Sequence, residues 1–236
     1  MKVIYKIVAL CGLCVFVNCK TDRNKDTVKQ QRPNVILVMT DDQGIGDIGC
    51  HGNPWIKTPN LDQFYEQSVR LTNFHVSPMC TPTRAALMTG LYPINNGVWA
   101  TFKGRDVLHP STIILPEIFK ANGYQTAIFG KWHLGDNYPS RPSDRGFDIA
   151  VQHSAGGVGE LSDYWGNNYF DDVYLRNNQA EQFEGYCTDI WFDEAINFIE
   201  EKKNQPFFLY LPTNAPHHPL YVADRYAESY KDLVGE

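Results

Sequence analysis

The sequence predicts an α/β domain with a mainly parallel central sheet flanked by helices. Three short apolar runs, 34–39, 124–129 and 207–211, have the composition of strands that are buried on both faces. Helix start and stop signals lie in the segments between these runs. The chain has 236 residues, of which 43% are hydrophobic and 13% aromatic, so it is long enough to bury a sizeable core. We find no internal repeat and no domain boundary after Arg32.

The first nineteen residues are predicted to be a signal peptide and not part of the fold. Lys2 and Lys6 give a positively charged start, and 7–17 is an apolar stretch of signal-peptide length, too short to span a bilayer. Cys19 stands where a bacterial lipoprotein would be lipidated, so simple cleavage and lipid attachment both stay open, with an uncleaved anchor as a third alternative. The polar stretch 20–32 is predicted to be a linker. Export is expected, to the periplasm or to a bacterial membrane through Cys19.

The first strand-like run ends at two adjacent carboxylates, Asp41 and Asp42. In α/β sheets, ligands bind beyond the carboxyl ends of the strands. Carboxylate oxygens are hard donors that suit Ca²⁺ or Mg²⁺. The pair is therefore a candidate metal site, and a solvated turn is the alternative interpretation.

A thiol, a proline and an arginine stand together at Cys80, Pro82 and Arg84. Thr81 can serve as N-cap and Pro82 suits the first helical position, so we expect a helix to begin beneath Cys80. Arg84 lies four residues after Cys80 and can face the same way. Its charge and the helix N-terminus would together hold an oxyanion. The alternative is that Cys80 is a small buried core residue.

Two further strand-like runs end at basic side chains. The run 124–129 is followed by Lys131 and His133, which point to the same side if the extended conformation continues. The run 207–211 is followed by His217, a candidate acid in a loop that neighbouring prolines stiffen. Each of these residues alone is compatible with an ordinary surface or loop position. Because all follow strands of one predicted parallel sheet, we expect them to converge with the carboxylates and the thiol.

Capping signals predict three further helices. They run over 61–68 with Asn60 as N-cap, from Pro116 to a stop at Gly123, and from a cap at Thr188 to about Lys203. An apolar stripe on the last helix is predicted to be core and not a cofactor site; it consists of Trp191, Ala195, Phe198 and Ile199.

The stretch 152–182 is rich in Gly, Asn, Asp and aromatic residues and predicts a long loop region. Its aromatic side chains Tyr164, Trp165 and Tyr169 could stack on sugar rings or serve only in packing.

Charge and cysteine content limit the partners and the cross-links. The formal net charge of −6 argues against nucleic acid or an anionic membrane surface as the main partner. Three of the six cysteines lie in the leader. The others, Cys50, Cys80 and Cys187, are odd in number, so a disulfide between Cys50 and Cys187 is possible if Cys80 is modified.

The run Cys80-Thr81-Pro82-Thr83-Arg84, with Thr89-Gly90 downstream, resembles the signature of the sulfatase family. The resemblance extends from Arg32 to the end of the chain. It includes three other segments, Pro33-Asn34, Thr58-Pro59-Asn60-Leu61-Asp62 and Gly130-Lys131-Trp132-His133.

This resemblance implies an alkaline-phosphatase-like fold and a sulfuric ester hydrolase that acts on sulfated carbohydrate or aryl sulfate. It implies that a formylglycine-generating enzyme oxidises Cys80 to formylglycine (3-oxoalanine). It also implies a metal ion, Ca²⁺ or alternatively Mg²⁺, held by Asp41, Asp42 and residue 80. Of the remaining site residues, Arg84 and Lys131 would stabilise charge, His133 would act as base and His217 as acid.

Members of this family are normally longer than this chain. Their C-terminal part supplies an Asp-Asn metal pair and another lysine, for which the chain has no convincing counterpart; Asp136-Asn137 is predicted to be a turn. We therefore expect 33–236 to be the N-terminal part of a sulfatase catalytic domain, truncated and inactive alone. Two alternatives stay open: a phosphonate or phosphate-ester hydrolase of the same superfamily, and a non-catalytic exported carbohydrate-binding fragment.

Overall fold

The structure is a computed structural model that describes residues 32–233. The predicted signal peptide, the lipidation site at Cys19 and all but the last residue of the predicted linker lie outside the described residues. Pro33 and the residues after it form one compact unit.

A mixed six-stranded sheet forms the centre of this unit, with strand order β1-β6-β2-β3-β4-β5. Neighbouring strands are parallel from β1 to β3 and antiparallel from β3 to β5, which confirms a mainly parallel sheet. The strands are β1 (Val35–Met39), β2 (Gln125–Phe129), β3 (Ile149–Gln152), β4 (Val173–Arg176), β5 (Gln179–Gln182) and β6 (Phe207–Pro212).

Helices cover the sheet and connect its strands. The α-helices are α1 (Pro59–Glu66), α2 (Cys80–Thr89), α3 (Pro93–Asn96), α4 (Leu115–Ala121), α5 (Cys187–Lys202) and α6 (Asp224–Ala227). Short 3₁₀-helices occupy Gly49–His51, Pro142–Asp144 and Glu228–Leu233. Among residues 32–233, no helix combines the length and the apolar character that crossing a membrane requires.

The helix starts lie one or two residues earlier than predicted. Helix α1 begins at Pro59 with Thr58 as N-cap, so Asn60 is not the cap. In α2 the first intrahelical bond runs from the Thr83 N–H to the Met79 carbonyl, which makes Cys80 the first helical residue and excludes Thr81 as cap. Proline is tolerated at Pro82 because the N–H groups of the first turn have no intrahelical partner.

The remaining two predicted helices show the same small displacement. Helix α4 begins at Leu115, one residue before Pro116, and helix α5 begins at Cys187 with Tyr186 as N-cap, so Thr188 lies inside it.

Strand β6 is buried on both faces and divides two hydrophobic clusters. Its residues Phe207, Leu209 and Leu211 face one cluster, whereas Phe208 and Tyr210 face the other. This alternation follows from the two-residue period of side chains along a strand. The first cluster contains the predicted apolar stripe of α5, in which Ile199 is partly buried and the other members are buried: Trp191, Ala195 and Phe198. The second cluster contains Ala85 and Met88 of α2.

The prediction of a long loop region over 152–182 is wrong at its two ends, because Gln152 belongs to β3 and because β4 and β5 form a hairpin. Strand β5 is exposed along its whole length and polar, so it carries no hydrophobic alternation. The turn of the hairpin is Asn177-Asn178, and both residues have positive φ, 47° and 69°. Asparagine favours this left-handed conformation, which two-residue hairpin turns require.

The disulfide between Cys50 and Cys187 is also a wrong expectation, since both thiols are free. The Cys187 thiol is buried and lies 3.8 Å from the Asn214 amide oxygen. Burial raises the pKa of Cys187 to about 12, so the thiol stays protonated at neutral pH.

Candidate active site

The carboxyl ends of three adjacent parallel strands bring the predicted site residues together. Strands β1, β6 and β2 are neighbours, and backbone hydrogen bonds continue beyond them. The Thr213 N–H donates to the Met39 carbonyl at 2.8 Å, and the Lys131 N–H donates to the Pro212 carbonyl at 2.8 Å. The segments that follow the strands, which carry Asp41, His133 and His217, are thereby held side by side.

Gly130 makes the close approach of β2 and β6 possible. Its φ is +120°, and a Cβ atom at this position would lie 2.1 Å from the Pro212 carbonyl oxygen. Any other residue would push the two strand ends apart. The glycine therefore sets the position of Lys131 and His133, which follow it.

Asp41 lies at the centre of a buried cluster of charges. Its Oδ2 atom pairs with Lys131 Nζ and lies 3.6 Å from Arg84 Nη2, and all three side chains are at most 4% exposed. Burial alone would raise the pKa of Asp41, but Arg84 and Lys131 together outweigh it, and the pKa is held below its usual value. The carboxylate is therefore ionised and shared between two buried cations.

Arg84 retains hydrogen-bonding capacity that the described residues do not use. Its Nη1 donates to the Lys131 carbonyl at 2.6 Å, whereas its buried Nε and Nη2 atoms have no hydrogen-bond partner. Buried donors of this kind normally have a partner. The side chain lines a cavity that Asp41, Asp42 and Cys80 also line. An oxyanion in this cavity would supply the missing acceptors.

Cys80 stands at the N-terminus of α2, directly beside His133. The distance from Cys80 Sγ to His133 Nδ1 is 3.4 Å. Burial, with Lys131 and Arg84 nearby, lowers the pKa of His133 to about 3. The imidazole is therefore neutral at physiological pH and can accept a proton from a group at residue 80.

His217 lies on the wall of a pocket that Cys80 and His133 also line. Its Nδ1 atom donates a hydrogen bond to the His218 carbonyl at 2.6 Å. Its Nε2 atom lies 3.6 Å from Asp42 Oδ2 and is left for a ligand or a proton. His217, Asp42, Cys80 and His133 line one open pocket of about 300 Å³.

Two carboxylates at this cavity have the donor type of the predicted metal site. Asp41 and Asp42 have the oxygen donors that Ca²⁺ and Mg²⁺ prefer, and both border the cavity at Cys80. Within residues 32–233, however, no group of three or more His, Cys, Asp or Glu side chains could hold a metal ion. The donor type fits the predicted metal, but two carboxylates are fewer than Ca²⁺ requires.

The sequence assigns no role to His153 and does not indicate Glu160, and both residues lie in this region. His153 follows β3 directly, as Lys131 follows β2, and it is 1% exposed. Glu160 lines the same pocket as Cys80 and His133. The signal that would have found His153 was the apolar run 149–151, which was not recognised as a strand.

His153 is expected to make the free energy of unfolding fall between pH 7 and pH 5. Its burial lowers the pKa from 6.5 to about 4. Below pH 6.5 the unfolded chain binds a proton that the folded chain excludes, so stability is lost as the pH falls towards the folded pKa. The unfolding free energy that this histidine removes by pH 5 is about 2 kcal/mol.

Urea denaturation at the two pH values measures this effect. The difference in unfolding free energy between pH 7 and pH 5 should be smaller in His153→Gln than in the wild type by about this amount. His109→Gln, which alters an exposed histidine, is the control; an unchanged pH dependence in His153→Gln would contradict the expectation.

Comparison with known proteins identifies the class to which this fold and site belong. The family model described as Sulfatase matches residues 33–236. The chain therefore belongs to the sulfatase family, and its fold is alkaline-phosphatase-like, as the sequence predicted.

Individual relatives share this similarity over most of the chain. Human N-acetylgalactosamine-6-sulfatase is 35% identical over 214 residues, which cover 82% of this chain and 41% of the relative. N-acetylglucosamine-6-O-sulfatase of Bacteroides thetaiotaomicron is 31% identical over 226 residues, which cover 92% and 36%. The crystal structure of Ps i-CgsB in complex with k-i-k-neocarrahexaose matches with a TM-score of 0.76 at 30% identity, over 86% of this chain and 49% of that one. The chain thus spans less than half the length of these relatives.

Proposed function

We propose that the protein is an exported sulfatase that hydrolyses sulfate esters of carbohydrates. The observation that carries this proposal is the placement of Cys80 at the N-terminus of α2, 3.4 Å from a neutral His133. The Arg84 side chain, which has two buried donors without a hydrogen-bond partner, lines a cavity together with Cys80 and suits a sulfate group. The relatives named for 6-O-sulfated amino sugars support a carbohydrate sulfate as substrate.

The proposed nucleophile derives from Cys80. A formylglycine-generating enzyme would oxidise this cysteine, which is partly accessible at a helix end. When present, the hydrated aldehyde supplies one hydroxyl for attack on sulfur and a second hydroxyl whose deprotonation releases the sulfate. A thiol lacks the second hydroxyl, which gives the modification its chemical reason.

Arg84 and Lys131 have different parts in this proposal. Arg84 binds the sulfate oxygens through Nε and Nη2, the two nitrogens that make no hydrogen bond within the described residues, although Nη2 also lies 3.6 Å from Asp41 Oδ2. Lys131 is completely buried and is paired with Asp41, so it acts by holding that carboxylate ionised and in place. In this proposal Lys131 contributes to the predicted stabilisation of charge as a positioning residue, through Asp41.

The two histidines divide the proton transfers. His133 is neutral and lies against residue 80, so it takes the proton from the group at this position. His217 has its Nδ1 bound to a carbonyl and its Nε2 open to the pocket, so it donates a proton to the leaving alcohol from Nε2.

A divalent metal ion, Ca²⁺ or Mg²⁺, would be held by Asp41, Asp42 and the oxidised side chain of residue 80, together with ligands outside the described residues. When bound, it would neutralise sulfate charge and favour the deprotonated nucleophile. Export, through the signal peptide at 1–19 and with Cys19 as a possible lipid anchor, is part of the same proposal, because sulfated polysaccharides are extracellular substrates.

The proposal is tested on the complete gene product, produced with and without a formylglycine-generating enzyme. With that enzyme, the peptide containing Cys80 should lose roughly 18 Da relative to the thiol form, the mass change on conversion of the thiol to the aldehyde. Only this preparation should hydrolyse p-nitrophenyl sulfate and a 6-O-sulfated amino sugar. Faster turnover of a phosphonate ester than of every sulfate would instead favour a phosphonate hydrolase, and an unmodified, inactive protein would favour a non-catalytic role.

A further inference from the structure

We infer that Glu160 selects the charge of the substrate: it favours esters whose reacting group carries one negative charge, such as a sulfate, over those that carry two. This inference rests on the proposed function, since it concerns the same pocket. Glu160 is absent from the sequence-based prediction of the site, because it lies in a stretch that was predicted to be a loop.

The first argument is that Glu160 lines the same pocket as residue 80. Its side chain lines the 300 Å³ pocket together with Cys80, His133 and His217. It also lines an adjoining recess of about 1100 Å³ with His133 and Trp165, so it stands where the two spaces meet. An ester that is bound at residue 80 and extends into the recess would pass this carboxylate.

The second argument is the closeness of Glu160 to His133, which two glycines permit. A Cβ atom on Gly156 would lie 2.9 Å from His133 Nε2 and 3.1 Å from Glu160 Oε2. Since His133 Nε2 and Glu160 Oε2 lie this close to the same Cβ position, the two atoms are no more than about 6 Å apart. A Cβ atom on Gly157 would lie 2.9 Å from Glu160 Oε1. Side chains at these positions would displace the carboxylate from the pocket wall.

The third argument is that the charge of Glu160 is left uncompensated by the buried cations of the site. Arg84 and Lys131 both form ion pairs with Asp41. Asp42 adds a second carboxylate to the pocket wall and lies 3.6 Å from His217. Glu160 repels each negative charge on the ester. A doubly charged ester is therefore repelled more strongly than a singly charged one.

Sulfate and phosphate monoesters differ in this property. A sulfate monoester carries one negative charge, whereas a phosphate monoester, with a second pKa of about 6, carries nearly two at pH 8. Glu160 is solvent-exposed, so water and salt weaken its field. We therefore expect a change of about tenfold in selectivity when its charge is removed.

The test compares Glu160→Gln with the wild-type complete gene product, both carrying the modified residue 80. Three esters of p-nitrophenol are used at pH 8: the sulfate, the methylphosphonate and the phosphate. The first two carry one charge and the third carries two. Glu160→Gln should raise kcat/KM for the phosphate relative to the sulfate about tenfold. The ratio of methylphosphonate to sulfate should stay constant, and the gain on phosphate should shrink as the pH falls through the second pKa of that ester, where the singly charged form takes over.

Glu184→Gln is the matched control, because Glu184 is an exposed glutamate that lines neither space. A phosphate-to-sulfate ratio that does not change in Glu160→Gln overturns the inference while the proposed function stands. An equal gain on methylphosphonate also overturns it, since the effect would then not depend on charge. If wild type hydrolyses phosphorus esters but no sulfate, the proposed function falls, and the phosphate-to-methylphosphonate ratio still tests Glu160. If it hydrolyses none of the three, both fall.

Discussion

Replacement of Cys80 by alanine is expected to abolish sulfate-ester hydrolysis and to leave the fold intact. The variant lacks the thiol side chain that would be oxidised in the proposed modification, so no aldehyde and no nucleophile can form at residue 80. We expect kcat/KM for p-nitrophenyl sulfate to fall by roughly three orders of magnitude or more. The free energy of unfolding should change by no more than about 1 kcal/mol, since Cys80 is only partly buried at the first position of α2 and alanine favours the helix.

Cys50→Ala is the matched control for this variant. Cys50 is also a free, partly buried thiol, but it lies in a 3₁₀-helix. It lines neither the 300 Å³ pocket at Cys80 nor the adjoining recess. Activity should be retained in Cys50→Ala, and urea denaturation should give similar unfolding free energies for both variants. Substantial hydrolysis by Cys80→Ala would show that the nucleophile lies elsewhere.

The part of the fold that the sequence predicts is the part with strong local signals. Strands β1, β2 and β6 are apolar runs bounded by turn residues, and α5 has a clear apolar stripe. Once these strands are parallel neighbours, the residues after them must meet at one edge, so the sequence could predict the convergence of Asp41, His133 and His217.

The rest of the fold depends on tertiary context that no local pattern carries. Strand β5 is polar and exposed, and it is a strand only because β4 pairs with it along its length. Glu160 reaches the pocket only because the backbone at Gly156 and Gly157 leaves space for it. The pairing of Lys131 with Asp41 joins residues 90 positions apart, so sequence spacing could not show that this lysine is committed to a carboxylate.

The same substitution at two adjacent aspartates after β1, Asp41 and Asp42, is expected to have different effects on the free energy of unfolding. Asp41→Asn leaves the buried Arg84 and Lys131 without their common counter-ion, so the free energy of unfolding should fall by about 3–5 kcal/mol. The lowered pKa of Asp41 means that its stabilisation is present above its usual pKa and is lost as the pH falls below it. The cost of Asp41→Asn should therefore be large at pH 7 and shrink in acid.

Asp42→Asn should instead preserve stability and impair function. The Asp42 side chain is 62% exposed, and its φ of 58° lies in the left-handed region that asparagine tolerates well. Unfolding free energy without metal should thus stay within about 0.5 kcal/mol of wild type. Loss of a charged metal ligand should lower hydrolysis at least about tenfold and reduce the rise in unfolding temperature that we expect Ca²⁺ to give the wild-type complete gene product. Equal destabilisation by the two variants would contradict the distinct roles assigned to them. A Ca²⁺-dependent stabilisation that persists undiminished in Asp42→Asn would contradict the expectation that the negative charge of Asp42 helps to hold the ion, because the amide keeps an oxygen donor but not the charge.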